Sequence, residues 1–127
     1  MKTYSITDKQ QMLEIINQCS TCVVGIADAD NHPYVFPMNF AWVDDEIILH
    51  SAPVGKHLDL LNVNNKVSVV FCVGEKLVYQ HPEVACSYRM DAKSVICNGE
   101  VSFVEALTEK ETLLNRFMKK YTDRYFS

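Results

Sequence analysis

The order of hydrophobic patterns predicts a mainly β protein: an antiparallel β-barrel, closed or partly open, with peripheral α-helices. Three observations carry this. Short β-branched apolar runs follow one another closely between residues 22 and 50, the pattern of hairpin-connected strands. Capping-box sequences near both ends, Thr7-Asp8-Lys9-Gln10 and Thr108-Glu109-Lys110-Glu111, announce flanking helices. The regular strand–helix alternation that marks a parallel sheet is absent.

Each element follows from its residues. With Thr7 as N-cap, Met12, Ile15, Ile16 and Cys19 recur at helical spacing and predict a helix over residues 7–18. Cys22 to Ala27 reads as a strand, and Asp28 to Pro33 as a turn rich in Asp and Asn. Tyr34 to Trp42 is a second strand. Pro37 interrupts it, and a residue without an N–H predicts an edge or a bulge there. Val43-Asp44-Asp45-Glu46 is a turn and Ile47 to His50 a third strand. Ala52 to Gly55 is a loop, and Lys56 to Leu61 a short helix. Val67 to Val73 is a strand, residues 74–92 read as an irregular loop, and Ser94 to Val104 as a long strand with a bulge at Gly99. Thr108 caps a last helix with Leu113, Leu114, Phe117, Met118 and Tyr121 on its apolar face. Tyr121, Tyr125 and Phe126 fit either a dimer surface or a frayed end.

Composition narrows the function. The 127 residues suit one domain, spanning 1–127, with a core large enough to fold unaided. A formal net charge of −4 argues against nucleic acid as a partner. No run of 18 apolar residues occurs, so no membrane role is expected. No secretory leader pattern opens the chain, and the expected location is cytoplasmic. The five cysteines, Cys19, Cys22, Cys72, Cys86 and Cys97, are odd in number and fit free, buried thiols in a reducing compartment.

Three segments could carry chemistry. In His50-Ser51-Ala52-Pro53-Val54-Gly55-Lys56 a strand ends, a loop follows and a helix begins. Free N–H groups at a helix start, a glycine that admits close approach and the Lys56 charge together make a phosphate cradle. By spacing alone the favoured reading is a solvated connector with a surface lysine, since Gly-Lys at a helix start is common and this is not a P-loop. In Pro37-Met38-Asn39-Phe40 a strand with unpaired backbone and the Asn39 amide could meet the polar edge of a planar heterocycle. An edge strand with one satisfied asparagine is the alternative. Lys93 and Ser94 open the long strand and could reach a phosphate or a sugar.

These residues resemble a family. His50 to Leu61 (HSAPVGKHLDLL), Tyr34 to Phe40 (YVFPMNF) and Lys93-Ser94-Val95-Ile96 with Gly99-Glu100-Val101 occur in the order seen in the pyridoxamine 5′-phosphate oxidase-like, FMN-binding split barrels, in their nitroimidazole-resistance branch. The likeness covers roughly residues 7–121. It implies an antiparallel split barrel and an oxidoreductase using flavin mononucleotide (FMN) in a homodimer cleft, with a small-molecule substrate and NAD(P)H as donor. Pro37 and Asn39 would face the flavin ring, and His50 and Ser51 would line the pocket beside it. Gly55, Lys56 and His57 would hold the phosphate, assisted by Lys93 and Ser94. His50 is the nominated catalytic side chain, since imidazole titrates near working pH. Many members carry lysine where this chain has His57, and many continue into a further C-terminal strand.

Two other classes compete. A split barrel can bind a flavin or related cofactor without turning over. Cys19-Ser20-Thr21-Cys22 is a CxxC, but it lies where a helix ends, whereas redox-active pairs sit at helix starts. Zinc there would need further ligands, and His81 and Cys86 match no familiar spacing. No metal site is assigned. Asp28, Asp30, Asp44, Asp45 and Glu46 read as turn chemistry, and His32 and His81-Pro82-Glu83 as loop residues.

Overall fold

The protein is described by a computed structural model covering residues 8–52 and 54–122. The elements run α1 (Lys9–Gln18), β1 (Thr21–Ala27), β2 (Pro33–Val43), β3 (Glu46–Leu49), α2 (Lys56–Val63), β4 (Lys66–Val78), β5 (Arg89–Glu100) and α3 (Leu107–Met118). All strand pairs are antiparallel. The sheet order is β3-β2-β1-β4-β5, so β3 and β5 form its edges among the described residues. This is the mainly β, antiparallel architecture with peripheral helices that the sequence predicts.

Helix α1 starts one residue later than predicted. Asp8 is the cap, its carboxylate accepting the Gln10 N–H at 2.9 Å, and Thr7 lies outside the described residues. Ile15 and Ile16 of α1 turn inward onto Cys22, Val24, Phe40, Val69, Phe71 and Val95. On β1 the buried positions alternate, Cys22, Val24 and Ile26 pointing in. Phe40 and Phe71, both 0% exposed, meet edge-to-face with ring centres 4.8 Å apart. Full burial of such a side chain contributes about 1.5–3 kcal/mol each.

Strand β2 changes character along its length. Up to Asn39 one face is buried; at Phe40 and Ala41 both are. The even positions Phe36, Met38, Phe40 and Trp42 join the core under α1. The odd positions Ala41 and Val43 instead pack on Phe117 of α3. Helix α3 therefore covers only one end of the outer sheet face. It is fastened there by Arg116, whose guanidinium donates to both Asp44 carboxylate oxygens at 2.6 and 3.1 Å and holds that carboxyl below the usual range. Asp44 and Asp45 have φ of 50° and 62° and form the whole connection between Val43 and Glu46. That is the primed two-residue turn suited to strand twist, at the place where the sequence predicts a turn.

Tyr121 has a structural role that the sequence left open. Its hydroxyl accepts the Phe40 N–H at 3.0 Å and lies 2.7 Å from the Phe40 carbonyl and 2.8 Å from the Ser20 carbonyl. It replaces ladder bonds at the point where β1 has not yet begun. Tyr121→Phe leaves the Phe40 N–H without that partner and is expected to destabilise by about 1–3 kcal/mol, read as a lower denaturant midpoint at unchanged m-value. Tyr125 and Phe126 lie outside the described residues.

Four expectations are corrected. Residues 74–92 are largely ordered structure: β4 runs on to Val78, a 3₁₀ turn spans Ala85–Ser87, and β5 begins at Arg89. The bulge is not at Gly99, which pairs regularly with Val67; the register shifts between Val73 and Lys76, where Gly74 takes φ 73°, a conformation glycine adopts without steric cost. Strand β5 stops at Glu100 because the Val101 N–H turns to the Asn65 carbonyl at 2.8 Å. Thr108 is not a cap; the Ala106 carbonyl already accepts from the Lys110 N–H, so α3 begins at Leu107.

Candidate functional site

The register explains Pro37. It lies opposite Val23 with the β1–β2 ladder unbroken, so there is an edge here and not a bulge. Strand β3 pairs only with Phe40–Val43, which leaves residues 33–39 without a strand on the side away from β1 among the described residues. The Phe40 N–H and carbonyl face the β1 side, toward Ser20 and Tyr121. The two-residue period then turns the backbone of Val35, Pro37 and Asn39 to the open edge. The missing N–H of proline falls where no ladder needs it.

Helix α2 begins beside this edge. Gly55 is its N-cap with φ 151°, and no side chain caps the first turn. The Lys56 ammonium lies 4.7 Å from the centre of the Tyr34 ring, a cation–π contact. The His57 ring is 5.5 Å from that of Phe36. A Cβ at Gly55 would come within 2.8 Å of His57 Cε1 and 2.9 Å of Nδ1, so only glycine leaves room for the folded-back imidazole. His57 Nε2 is shielded from solvent and has no hydrogen-bond partner among the described residues, an arrangement that costs stability unless something supplies a partner. Asp59, in the same first turn, is exposed.

His50 leaves the β3 ladder one residue after Leu49, which pairs with Phe40. Its ring lies 5.7 Å from Phe117, and its position is exposed. The next pair in that register would be His50 opposite Asn39. Asn39 donates one amide hydrogen to the Ser20 carbonyl at 3.3 Å, and the Ser51 hydroxyl donates to the Ala52 carbonyl at 3.0 Å.

The predicted residues thus fall into three groups. Pro37, Asn39 and His50 share the outer face, with Ser51 following His50. Gly55, Lys56 and His57 stand on the inner side, against Tyr34 and Phe36. These two groups straddle the open edge of β2. Lys93 and Ser94 do not join them. Neighbouring strand residues point to opposite faces: Lys93 has the parity of core Val95, Ser94 that of exposed Ile96. Ser94 pairs with Cys72 on β4, so it is three strand spacings from Asn39, roughly 14 Å across the sheet.

The sequence reading missed the uncovered part of the outer face. An open concavity of about 750 Å³ is lined there by Gly25, Val35, Lys66, Ser68, Asn98 and Glu100 among others. Val35 in this lining is 67% exposed, and Val23 and Ile96 on the same face are 39% and 65% exposed. The signal was a lone glycine inside a strand, Gly25, which often marks close approach by a ligand or another backbone.

The cysteines are free, as expected, but only Cys19 and Cys22 are buried; Cys72 and Cys86 are exposed and Cys97 half-buried. Cys19 is the C-cap residue of α1, and its thiol lies within 3.4 Å of the Ile15 carbonyl and 3.6 Å of the Cys72 carbonyl. Burial pushes the Cys22 thiol from 9.0 up to about 11, with the Lys120 ammonium opposing. A thiol so protonated is a poor nucleophile. Iodoacetamide at pH 8 is expected to label Cys86 well before Cys22, as read by peptide mass; comparable rates would revive the redox reading. The one group of three metal-ligating side chains among the described residues is Asp28, Asp30 and His32. Turn chemistry accounts for it: Asp28 Oδ1 accepts the Asp30 and His32 N–H groups at 2.9 Å, which lowers its pKa, the His32 bond first.

Comparison with known proteins decides the family. The sequence family described as pyridoxamine 5′-phosphate oxidase matches residues 8–127. The chain belongs to this family. A candidate 5-nitroimidazole antibiotic resistance protein from Bacteroides thetaiotaomicron is 45% identical, with a TM-score of 0.87 over 99% of this chain and 74% of that one. That similarity bears out the resemblance to the nitroimidazole-resistance branch. More distant family folds include an FAD- and heme-binding protein from Mycobacterium smegmatis (19% identity, TM-score 0.80, 91% of this chain and 55% of that one). Another is an FAD-binding protein from Mesorhizobium loti (21%, 0.67, 92% and 77%). No curated protein matches the sequence. Among the described residues no helix is long and apolar enough to cross a membrane.

Proposed function

We propose that this family member is an FMN-binding oxidoreductase of the nitroimidazole-reductase type, a single cytoplasmic domain that holds FMN at a homodimer interface. The observation that carries the reading is the start of α2. Gly55 leaves the first-turn N–H groups without a side-chain cap, Lys56 brings a full charge beside them, and His57 Nε2 has no partner. Helix dipole, free donors and cation together suit a phosphate dianion. The residues present therefore fit the group. Lys56, His57 and the α2 backbone would hold the phosphate, while the backbone of Val35 and Asn39 at the β2 edge would meet the polar rim of the ring. Bound FMN would supply the electron transfer; the protein contributes position, charge and exclusion of water.

The uncovered outer face supports the second copy. Pro37, Val23, Val70 and Ile96 form one row across four strands, and exposed apolar rows of this kind mark association surfaces. A dimer would also allow Ser94, remote from the α2 start within one chain, to serve a site shared between two. A small-molecule substrate and NAD(P)H as electron donor complete the proposal, and the 45% identity to a candidate 5-nitroimidazole antibiotic resistance protein makes a nitroimidazole the first substrate to try.

One observation favours a second reading, a flavin-binding module without turnover: His50, the side chain nominated for chemistry, rests against Phe117. Steady-state NADH and NADPH oxidation by the FMN-loaded protein, with a panel of nitroaromatic acceptors, separates the two. Saturable turnover supports the oxidoreductase; oxidation no faster than with free FMN leaves only the binder.

A further inference from the structure

We infer that His57 makes this protein's hold on the flavin phosphate depend on pH, tightening as pH falls. The inference rests on the FMN reading above. It concerns the choice of histidine at position 57, where a lysine would be charged at every working pH.

The geometry sets up the dependence. The imidazole is folded over Gly55 at the start of α2, its Nδ1–Cε1 edge toward the glycine, and it leans on the Phe36 ring. Nε2 has neither solvent nor partner. A neutral imidazole carries one hydrogen, on Nδ1 or Nε2, so at neutral charge the ring offers the site at most one donor. Protonation makes both nitrogens donors and adds a positive charge at a point already favourable to anions. From β2 the aromatic ring of Phe36 faces the imidazole, and Tyr34 lies under Lys56. β1, the other strand packed on α2, has no charged residue in Thr21–Ala27. On α2 itself the charged neighbours are Lys56, adjacent in the chain, and the exposed Asp59, two residues on and off the His57 face. An incoming phosphate would be the strongest acceptor in reach, so binding and protonation favour each other. By linkage, if the phosphate raises the proton affinity of His57, protonation raises the affinity for phosphate by the same factor.

The phosphate monoester itself titrates near pH 6 and opposes the effect, so the test is a ratio in which that titration cancels. Apoprotein of the wild type, His57→Lys and His57→Gln is titrated with FMN between pH 8 and 5.5 at fixed ionic strength, by flavin fluorescence. The expected ratio of wild-type to His57→Lys dissociation constants falls about tenfold from pH 8 to 5.5, the size of one hydrogen bond to a charged group. His57→Gln should remain weak throughout, and riboflavin, which lacks the phosphate, should show a flat ratio. Saturable FMN binding with a flat wild-type to His57→Lys ratio overturns the inference and leaves the flavin reading standing. A pH-dependent ratio that persists with riboflavin also overturns it. Absence of saturable FMN binding in all three proteins, with unchanged circular dichroism, removes the flavin reading and this inference together.

Discussion

Lys56→Glu is expected to weaken FMN binding by about 100-fold while the protein stays folded. The charge reversal removes a charge-assisted contact worth about 1.5–3 kcal/mol and sets a carboxylate beside the phosphate. The side chain is exposed, and its recorded contact is with the Tyr34 ring, so little packing is lost. Lys56→Gln keeps length and removes only the charge; it should fall between the two in affinity. Fluorescence titration with FMN and with riboflavin reads the result. Loss confined to FMN places Lys56 on the phosphate. Equal loss for both ligands would place it elsewhere, and an unchanged FMN affinity in both variants would remove it from the site.

The largest expected effect on stability is that of Phe71→Ala. Phe71 is fully buried, packs edge-to-face on Phe40 and lies at the centre of the cluster under α1. The neighbours come from four elements, α1, β1, β2 and β5, so no single segment can move in to fill the gap. The cost is expected to be about 3–5 kcal/mol, the range for a large core aromatic, a large part of the total stability of a domain this size. Chemical denaturation of the variant checks it. A loss below about 1 kcal/mol would mean that the core closes over the site and that the packing around Phe40 is looser than described.

Much of the fold is legible in the sequence, for reasons visible in particular residues. The short β-branched apolar run Cys22-Val23-Val24-Gly25-Ile26-Ala27 gives β1, though not which face turns inward, and the paired aspartates after Val43 give the turn. The β4–β5 arm was not legible. Its far half, from Gly74 through the 3₁₀ turn to Arg89, carries polar and aromatic residues without strand alternation, and ladder bonds between the two strands hold it extended. The capping boxes misled by one or two residues because a cap depends on which carbonyl accepts first, a tertiary matter.

The candidate site divides along similar lines. Gly55, Lys56 and His57 are contiguous, so one helix start brings them together. Pro37, Asn39 and His50 meet through the β2–β3 register, which a strand pattern suggests but does not fix. The separation of Lys93 from Ser94 follows from the side-chain alternation of any strand. The outer-face concavity at Gly25, Ser68 and Asn98 draws on three strands distant in sequence, and only the lone glycine hinted at it.

The central claim is that this chain carries FMN, and one measurement bears on it most directly: the absorbance spectrum of the purified protein before and after reductant, with mass identification of any chromophore released on denaturation and FMN titration of protein isolated without it. The expected result is a yellow protein that bleaches on reduction and releases FMN, or a colourless one that takes up FMN saturably at one site per chain. A colourless protein with no saturable FMN uptake, or one that releases or prefers FAD, would contradict it.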